Sequence, residues 1–406
     1  MKRIHVFIIL CIFLLSQIHS EEEKFTISKI KVFLDDIELI GADDGSVKKS
    51  TILSYTNFSE EKSYSKNQIE KECEKTRLRL IDSGLFYSTE VEAVKSRINP
   101  TAVLIIISVR KGFLMRFGGG AVYGMFGRVA LGGNRNKLLG YAGYNKSGLS
   151  YLDENVAGIP LVLGAGLFTN VPQALCEKEN YKLESNLKTG FYIAPDFCIG
   201  NDIKFIFDFG KSKETEFNLD YLLSPYIFLK LFHSEKVFST TEVRSYNYIL
   251  QNAHSIEAAY TINCSPAKKF NLAVLLSCGF SKDTKINLQK DSQPFYEQPG
   301  LGNRAVRAGY KEEELLTDTY CLCTFEGRFK AASFSIPPCF PCQLVPYVFT
   351  DLAFTENYGK APQLLDAFGL GIQLNMENPV FAYFNFSYGI NHFGKGKFTF
   401  VAMQSF

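Results

Sequence analysis

Residues 368–376 read Phe-Gly-Leu-Gly-Ile-Gln-Leu-Asn-Met. Every even position in this stretch is large and apolar, and every odd position is glycine or an uncharged polar residue. Such alternation predicts a β-strand with one apolar face and one small or polar face. The same period of two recurs at 380–390 and at 203–209. Roughly sixteen strand-like segments of this kind follow Gly112, enough for a large barrel, so we predict an all-β domain over 112–406.

The alternation alone leaves two architectures open. A water-soluble sandwich places the apolar face inside, whereas a transmembrane barrel places it outside, around a polar lumen. Residues 1–20 favour the barrel, because Lys2 and Arg3 precede an apolar run of about ten residues, as in a secretory signal peptide cleaved after Ser20. The size of the β region and Phe406 as the last residue point the same way. No later run reaches 18 uninterrupted apolar residues, so only a closed barrel could cross a membrane.

The composition excludes several classes of protein. Lys and Arg number 44 and Asp and Glu 42. Removing Lys2 and Arg3 with the signal peptide leaves 42 against 42, which argues against a nucleic-acid partner. Hydrophobic residues make up 46% and charged residues 21%, a balance that excludes a disordered chain.

Residues 25–110 differ from the rest and predict one small α+β domain. A capping-box pattern starts a helix at Ser65 with Gln68, and Ile69, Cys73, Thr76 and Leu80 then share one helical face. Gly84 closes this helix as its C′ residue. The other predicted elements are a strand at Phe25–Leu34, a helical turn at Ser50–Tyr55, and strands at Phe86–Val94 and Thr101–Val109. The order is β-α-α-β-β.

Nine cysteines follow Cys11, and two pairs among them have the spacing of zinc ligands. We reject a metal site, because Cys321 and Cys323 are predicted in mid-strand while Cys339 and Cys342 are predicted in a Pro-rich connection beyond the strand end. At about 3.3 Å per residue the pairs lie tens of ångströms apart. A local Cys339–Cys342 disulfide and unpaired thiols both remain open.

An enzyme is not expected. The mature chain carries three histidines, and it lacks a Gly-x-Ser-x-Gly motif, a metal-spaced histidine pair and a phosphate-binding Gly-Lys-Ser/Thr loop. No cofactor is predicted. The alternative is an outer-membrane lipid enzyme that assembles serine and histidine from distant strands.

Several motifs, in this order and spacing, resemble the BamA/TamA-type outer-membrane barrels with POTRA domains, also called bacterial surface antigens. The motifs are Leu80–Phe86 with Leu104–Val109, Gly133-Asn134 with Leu138–Tyr141, Val306–Tyr310, Glu326-Gly-Arg328, Val345–Asp351 and the ending Phe398–Phe406. Ala308 departs from the family by splitting its Arg-Gly pair, and Ala353 stands where glycine usually follows the aspartate. The resemblance implies a mainly β fold, with a transmembrane antiparallel barrel of about sixteen strands after one POTRA-like domain.

The resemblance also implies a site inside the barrel. The loop from about Lys282 to Leu315, with glycines at 300, 302 and 309, would fold into the lumen. Its tip would carry Arg307, Gly309 and Tyr310. The guanidinium of Arg307 would bind the Asp351 carboxylate through two parallel hydrogen bonds. Asp351 faces the lumen if Val348 and Phe354, at even positions of the same strand, face lipid. By the same parity Glu326 and Arg328 face the lumen and would join this network.

A second candidate site is the barrel seam. The predicted first strand, Phe113–Tyr123, contains Gly118, Gly119 and Gly120, and three glycines weaken a strand. The predicted last strand is Phe398–Phe406, with Phe400 between its ends. A weak pairing between these strands would permit a lateral gate that templates an incoming strand. Alternatively, the glycines fit a crowded barrel wall.

The resemblance implies an outer-membrane assembly or translocation factor. Its POTRA-like domain, in the periplasm, would bind extended clients by strand addition, and its seam would insert or export them. The expected partners are outer-membrane lipids, unfolded outer-membrane or secreted proteins, and periplasmic chaperones or accessory lipoproteins. A passive, porin-like or structural surface barrel is the alternative.

Overall fold

The fold is seen in a computed structural model. It describes residues 23–40, 47–83, 85–112, 114–120, 123–131, 134–143, 147–170, 181–209, 218–234, 236–288, 306–336, 340–376 and 382–404. The predicted signal peptide, Gly84, Gly133, Gly300, Gly302, Cys339 and Phe406 lie outside these ranges.

The first region forms a small mixed sheet covered by helices. Its elements are β1 Lys24–Leu34, β2 Ile37–Glu38, α1 Lys49–Leu53, β3 Ser63–Ser65, α2 Lys66–Asp82, β4 Phe86–Lys95 and β5 Ala102–Lys111. The strand order is β2-β1-β5-β4, and β3 also pairs with β1. β1 and β5 run parallel, and β4 lies at the edge of the sheet. The predicted elements are all present, with two additional short strands.

The sequence pattern explains how this sheet and its long helix pack. Ser65 and Gln68 form the predicted capping box at the start of α2. The four residues of the predicted helical face are buried. In β1 the buried positions change from odd to even, because the register shifts between Ile27 and Lys29. This β-bulge reconciles the irregular alternation of β1 with one continuous core.

The second region is a closed antiparallel barrel. Its strands are β6 Met115–Gly120, β7 Tyr123–Val129, β8 Asn136–Gly143, β9 Ser147–Asp153, β10 Leu161–Thr169, β11 Tyr181–Ala194, β12 Phe197–Phe209, β13 Asn218–His233, β14 Val237–Tyr248, β15 Ala253–Ala267, β16 Phe270–Lys282, β19 Thr319–Phe329, β20 Ala332–Ile336, β21 Phe340–Glu356, β22 Gln363–Met376, β23 Ala382–Ile390 and β24 Gly396–Gln404. β19 and β20 both pair with β21 and form two parts of one strand. The barrel therefore has the predicted sixteen strands.

The remaining elements belong to connections. A 3-10 turn, Val156–Gly158, follows β9. The long loop between β16 and β19 contains β17 Ile286–Asn287, the short helix α3 Glu312–Leu315 and β18 Leu316–Thr317, and β17 pairs with β18. We call this end of the barrel the loop end, and the opposite end, where the small domain enters β6, the domain end. None of the described helices is long and apolar enough to cross a membrane.

The apolar face of the strands points outward. Leu370 is 67% exposed on the outer surface, whereas Asp351 on the neighbouring strand is fully buried inside. Phe368, Ile372 and Phe398 are likewise exposed. The alternation is thus that of a barrel with an apolar exterior and a polar interior, not that of a sandwich.

Two sequence predictions need correction. The predicted first strand Phe113–Tyr123 is too long, because Gly120 pairs with Tyr123 and the chain has already entered β7 at that residue. Cys342 does not lie in a connection beyond the strand end; it is buried within β21. Cys323 pairs with Leu352, which lies ten residues after Cys342 on β21, so Cys323 and Cys342 are about 33 Å apart.

Candidate functional site

The tip of the long loop lies inside the barrel wall, at Arg307. Its Nε and Nη2 donate to Oδ2 and Oδ1 of Asp351 at 3.0 and 2.8 Å, and its backbone N–H donates to Oδ2 at 3.0 Å. The side chains of Arg307 and Asp351 are 5% and 0% exposed. Two parallel bonds from a planar guanidinium fix both the distance and the orientation of the loop tip.

Further groups complete this cluster around Arg307. Nη1 donates to Oε1 of Glu326 at 2.5 Å, and Arg328 in turn donates to the other oxygen of Glu326. Thr324 donates to Asp351 at 3.0 Å, and the guanidinium carbon lies 3.7 Å from the ring centroid of Phe349. The structure therefore brings together Arg307, Asp351, Glu326 and Arg328, as the parity of β19 and β21 predicts.

Two glycines, Gly309 and Gly389, allow the loop tip to approach the barrel wall closely. Gly389 was not identified from the sequence. A methyl group at Gly389 of β23 would overlap the carbonyl oxygen of Arg307. A Cβ at Gly309 would lie 2.7 Å from the carbonyl oxygen of Gly396, at the start of β24, and the N–H of Gly309 donates to Lys395. Gly309 thus serves close approach to the wall. Gly389 lies in a regular strand pattern, so only its tertiary contact reveals its role.

Tyr310 provides a second anchor for the tip. Its hydroxyl donates to the Asp366 carboxylate at 2.8 Å and accepts from the Asp366 N–H at 2.9 Å. His392, in the turn before β24, also contacts this carboxylate through Nδ1. Asp366 was missed in the sequence because it lies at the strand end, outside the strand motif that contains Asp351. The tip is therefore held by strands β21 to β23 and by the turn into β24.

The seam between β24 and β6 has two residue pairs in the described part of the chain, Gly119 with Ala402 and Gly120 with Val401. The neighbouring ladder between β23 and β24 has nine pairs. Gly118 pairs with β7, and Phe398 and Phe400 pack against Phe386 of β23. The two predicted seam strands do meet, but the aromatic side chains of β24 contact β23.

The small domain is attached to the domain end of the barrel by a second arginine fork. Nε and Nη2 of Arg79, on α2, donate to Asp196 at 3.0 and 2.6 Å, and Nη1 donates to Glu72 at 2.7 Å. Asp196 lies in the turn between β11 and β12. Burial by itself lowers the pKa of Arg79, but the bonds to Asp196 and Glu72 outweigh burial and raise it.

Aromatic and apolar contacts reinforce this attachment. The guanidinium of Arg135, before β8, lies 4.5 Å from the ring of Tyr55 and 4.9 Å from the ring of Tyr192. Val129 and Ala130 of the barrel belong to the same buried cluster as the core of the small domain. The domain is thus fixed under the barrel strands that follow the seam strand β6. Arg79 and Asp196 are 117 residues apart, and no motif in the sequence links them.

A third arginine cluster lines the barrel at β12 to β14. Arg244 donates to Asp202 at 2.7 Å and to Glu242 at 3.1 Å, and its guanidinium lies 5.0 Å from the ring of Tyr226. One signal for this cluster is present in the sequence, since Asp202 has the parity opposite to the apolar positions of 203–209. Among the described residues, no group of His, Cys, Asp and Glu is arranged to hold a metal ion.

Comparison with known proteins identifies the fold. No family model and no curated protein matches the sequence. CdiB from Acinetobacter baumannii is 10% identical with a TM-score of 0.58, over 94% of this chain and 74% of that chain. CdiB from Escherichia coli is 10% identical with a TM-score of 0.55, over 94% and 76%. BamA from Haemophilus ducreyi lacking POTRA domains 1–3 is 12% identical with a TM-score of 0.48, over 93% and 84%.

The likeness to the two CdiB structures shows the fold of this chain. The predicted resemblance to BamA/TamA-type barrels is confirmed at the level of the fold.

Proposed function

We propose that this chain is an outer-membrane factor that assembles or exports β-rich client proteins. The observation that carries the proposal is the ladder between β24 and β6, which has two pairs among the described residues, against nine between β23 and β24. Hydrogen-bonded pairs alternate with non-bonded pairs along an antiparallel ladder, so fewer paired residues leave fewer hydrogen bonds to break when these strands separate. An opened strand edge offers unpaired N–H and C=O groups to an incoming strand of a client.

The small domain supports this proposal by its edge and its position. β4 pairs with β5 alone in the sheet, so its other edge is available for an extended segment. Tyr55 lies against Arg135 in the turn between β7 and β8, the first turn after β6 at the domain end, and Arg79 binds Asp196 in the turn between β11 and β12. An extended client bound at β4 would therefore be held at the domain end of the barrel. In this proposal the domain is POTRA-like, it lies in the periplasm, and the chain has no enzymatic activity.

A reversible covalent staple across the seam tests the function. Cysteines are introduced as Gly119→Cys with Ala402→Cys, in a chain where Cys278 and Cys321 are replaced by serine. The matched control staples the nine-pair ladder by Tyr388→Cys with Phe398→Cys, which are also directly paired. The assay measures insertion of an unfolded outer-membrane protein into liposomes that contain the variant.

The proposal expects the oxidised seam staple to abolish client insertion and a reductant to restore it, while the control staple leaves insertion unchanged. Insertion that continues through a fully formed seam staple refutes the gate.

A passive surface barrel is the second candidate, favoured by the continuous closure of all sixteen strands. Ion conductance in planar lipid bilayers, together with no client insertion by the unstapled protein, would support this candidate instead.

A further inference from the structure

Two cysteines face each other across neighbouring strands on the outside of the barrel. Cys278 of β16 and Cys321 of β19 are directly opposite in the register, and both are exposed. They lie near the loop end, below the long loop that these two strands carry. In this structure both are free thiols.

The hydrogen-bond phase of the ladder determines what kind of pair they form. The N–H of Ser281 donates to the backbone carbonyl of Asp318 at 2.7 Å, and the N–H of Lys330 donates to the backbone carbonyl of Lys269 at 2.8 Å. These two bonds mark one hydrogen-bonded pair beyond each end of the ladder. The register between them is continuous. Bonded and non-bonded pairs alternate along an antiparallel ladder. Cys278 is three residues from Ser281 and nine residues from Lys269. Both separations are odd numbers, so Cys278 and Cys321 form a non-hydrogen-bonded pair.

Such a pair suits a disulfide. The Cα atoms of non-hydrogen-bonded pairs lie about 4.5 Å apart, and disulfides span Cα separations of about 4.4–6.8 Å. Cys323 lies on the same face but opposes Leu276. Its diagonal separation from Cys278, about 7–8 Å, exceeds the reach of a disulfide. The geometry therefore selects Cys321 as the partner of Cys278.

The position of the pair makes it accessible from outside. Leu276 and Phe280 flank Cys278 on the outer surface, 45% and 54% exposed, and β16 ends at Lys282. The thiols thus lie near the rim of the apolar exterior and are not enclosed by the barrel core.

We propose that Cys278 and Cys321 form a reversible dithiol–disulfide site. One thiol loses its proton, and its thiolate attacks a sulfur of an acceptor disulfide, releasing one thiol of the acceptor. The second thiolate of the pair then attacks the mixed disulfide and releases the other thiol. Two electrons pass to the acceptor, and one S–S bond closes across β16 and β19. The oxidised form locks the stem of the long loop.

Oxidised glutathione and the mature full-length protein in lipid vesicles provide the test. The protein is treated, alkylated, digested with trypsin without reduction and examined by mass spectrometry. Cleavage after Lys269, Lys282, Lys311 and Arg328 gives one peptide with Cys278 and one peptide with both Cys321 and Cys323. The variants are Cys278→Ser, Cys321→Ser and, as the matched control, Cys323→Ser.

The proposal expects the two peptides to be joined in the unsubstituted protein and in Cys323→Ser, with the loss of two alkylatable thiols per chain. The disulfide-linked peptides are absent from Cys278→Ser and Cys321→Ser, and a reductant separates them in the unsubstituted protein. The absence of a joined peptide after oxidation, or a join that survives Cys321→Ser and disappears in Cys323→Ser, would overturn the assignment. If a variant does not fold, the number of alkylated thiols in the unsubstituted protein, with and without oxidation, still tests the pairing.

Discussion

Two arginine forks hold this molecule together, one inside the barrel and one between the barrel and the small domain. Both place a guanidinium on an aspartate in two parallel bonds. The difference lies in the aspartate, because Asp351 is fully buried whereas Asp196 remains 17% exposed in a turn. A carboxylate that can reach water is rehydrated when its partner is lost, and a buried carboxylate is not. The same chemistry therefore supports folding at one place and docking at the other.

The largest effect is expected at the internal fork. Arg307→Ala or Asp351→Ala should lower the free energy of unfolding by about 3–5 kcal/mol, because a buried charge loses its partner. The double variant should cost much less than the sum of the two. Arg307→Lys should also destabilise, since an ammonium cannot reproduce the planar fork. Urea unfolding in lipid vesicles measures all four variants.

Arg110→Ala is the control for these variants, because Arg110 and Asp36 form an exposed ion pair. Its loss is expected to change the stability little, because an exposed ion pair contributes little. Additive costs at Arg307 and Asp351 would show that the two residues act separately.

Gly389→Ala tests whether the loop tip needs its close approach to β23. The added methyl group would overlap the Arg307 carbonyl, so the tip must shift, at a cost of about 1–3 kcal/mol. The expected readout is faster protease cleavage within the long loop. Gly327→Ala is the matched control, since the nearest atom to a Cβ there is at 3.7 Å. Equal cleavage rates in both variants would contradict the docking.

Arg79→Ala tests the fork between the small domain and the barrel. It should weaken the attachment of the small domain by about 1–3 kcal/mol while the barrel remains folded, because Asp196 returns to water. Cross-linking between the domain and the barrel measures docking, and gel mobility without heating measures barrel folding.

The control is Arg77→Ala, two residues away on the same helix, where the arginine pairs with Glu74 at the surface. It should have little effect on docking. Loss of barrel folding in Arg79→Ala would show that the two forks do not differ as described.

A last test concerns the dependence of stability on pH, at Glu154. Burial raises the pKa of this carboxyl, but Lys137, Arg135 and Lys188 lower it to about 2. A carboxyl with a lowered folded-state pKa stabilises the folded form above its unfolded pKa of about 4.3. Its contribution to the free energy of unfolding should therefore be constant from pH 8 to about 5 and be lost as the pH falls from about 4 to 2. Glu154→Gln should lose this acid transition, and an unchanged transition in that variant would exclude Glu154 as its source.

The sequence predicted the parts of this molecule that repeat a local pattern. Strand alternation predicted the β domain and the shared face of Asp351 and Glu326, and the capping box predicted α2. The signal-peptide pattern and the size of the β region then favoured a barrel with its apolar face outside. Contacts between distant segments could not be predicted, because no periodicity encodes them. Gly389 and Asp366 have the appearance of ordinary strand residues, and Arg79 has the appearance of a helix-surface charge.

The space on the inner face is likewise set by contacts between strands. Alternation places Gly371 on that face. The Tyr347 ring covers this glycine, so any side chain at 371 would displace it. Inner-face parity thus identifies the direction of a residue but not the space available to it.

The docking of the loop tip also constrains the order in which the chain can fold. Arg307 binds Asp351, Tyr310 binds Asp366, and the carbonyl of Arg307 rests on Gly389, so each contact joins the tip to a strand that follows it in the chain. Closing such long segments is entropically costly and slow. The tip cannot be bound until β21 to β23 are in place. Its contacts with Lys395 and Gly396 form only when the chain has reached the start of β24. A docked loop therefore marks a barrel whose final strands have already been added.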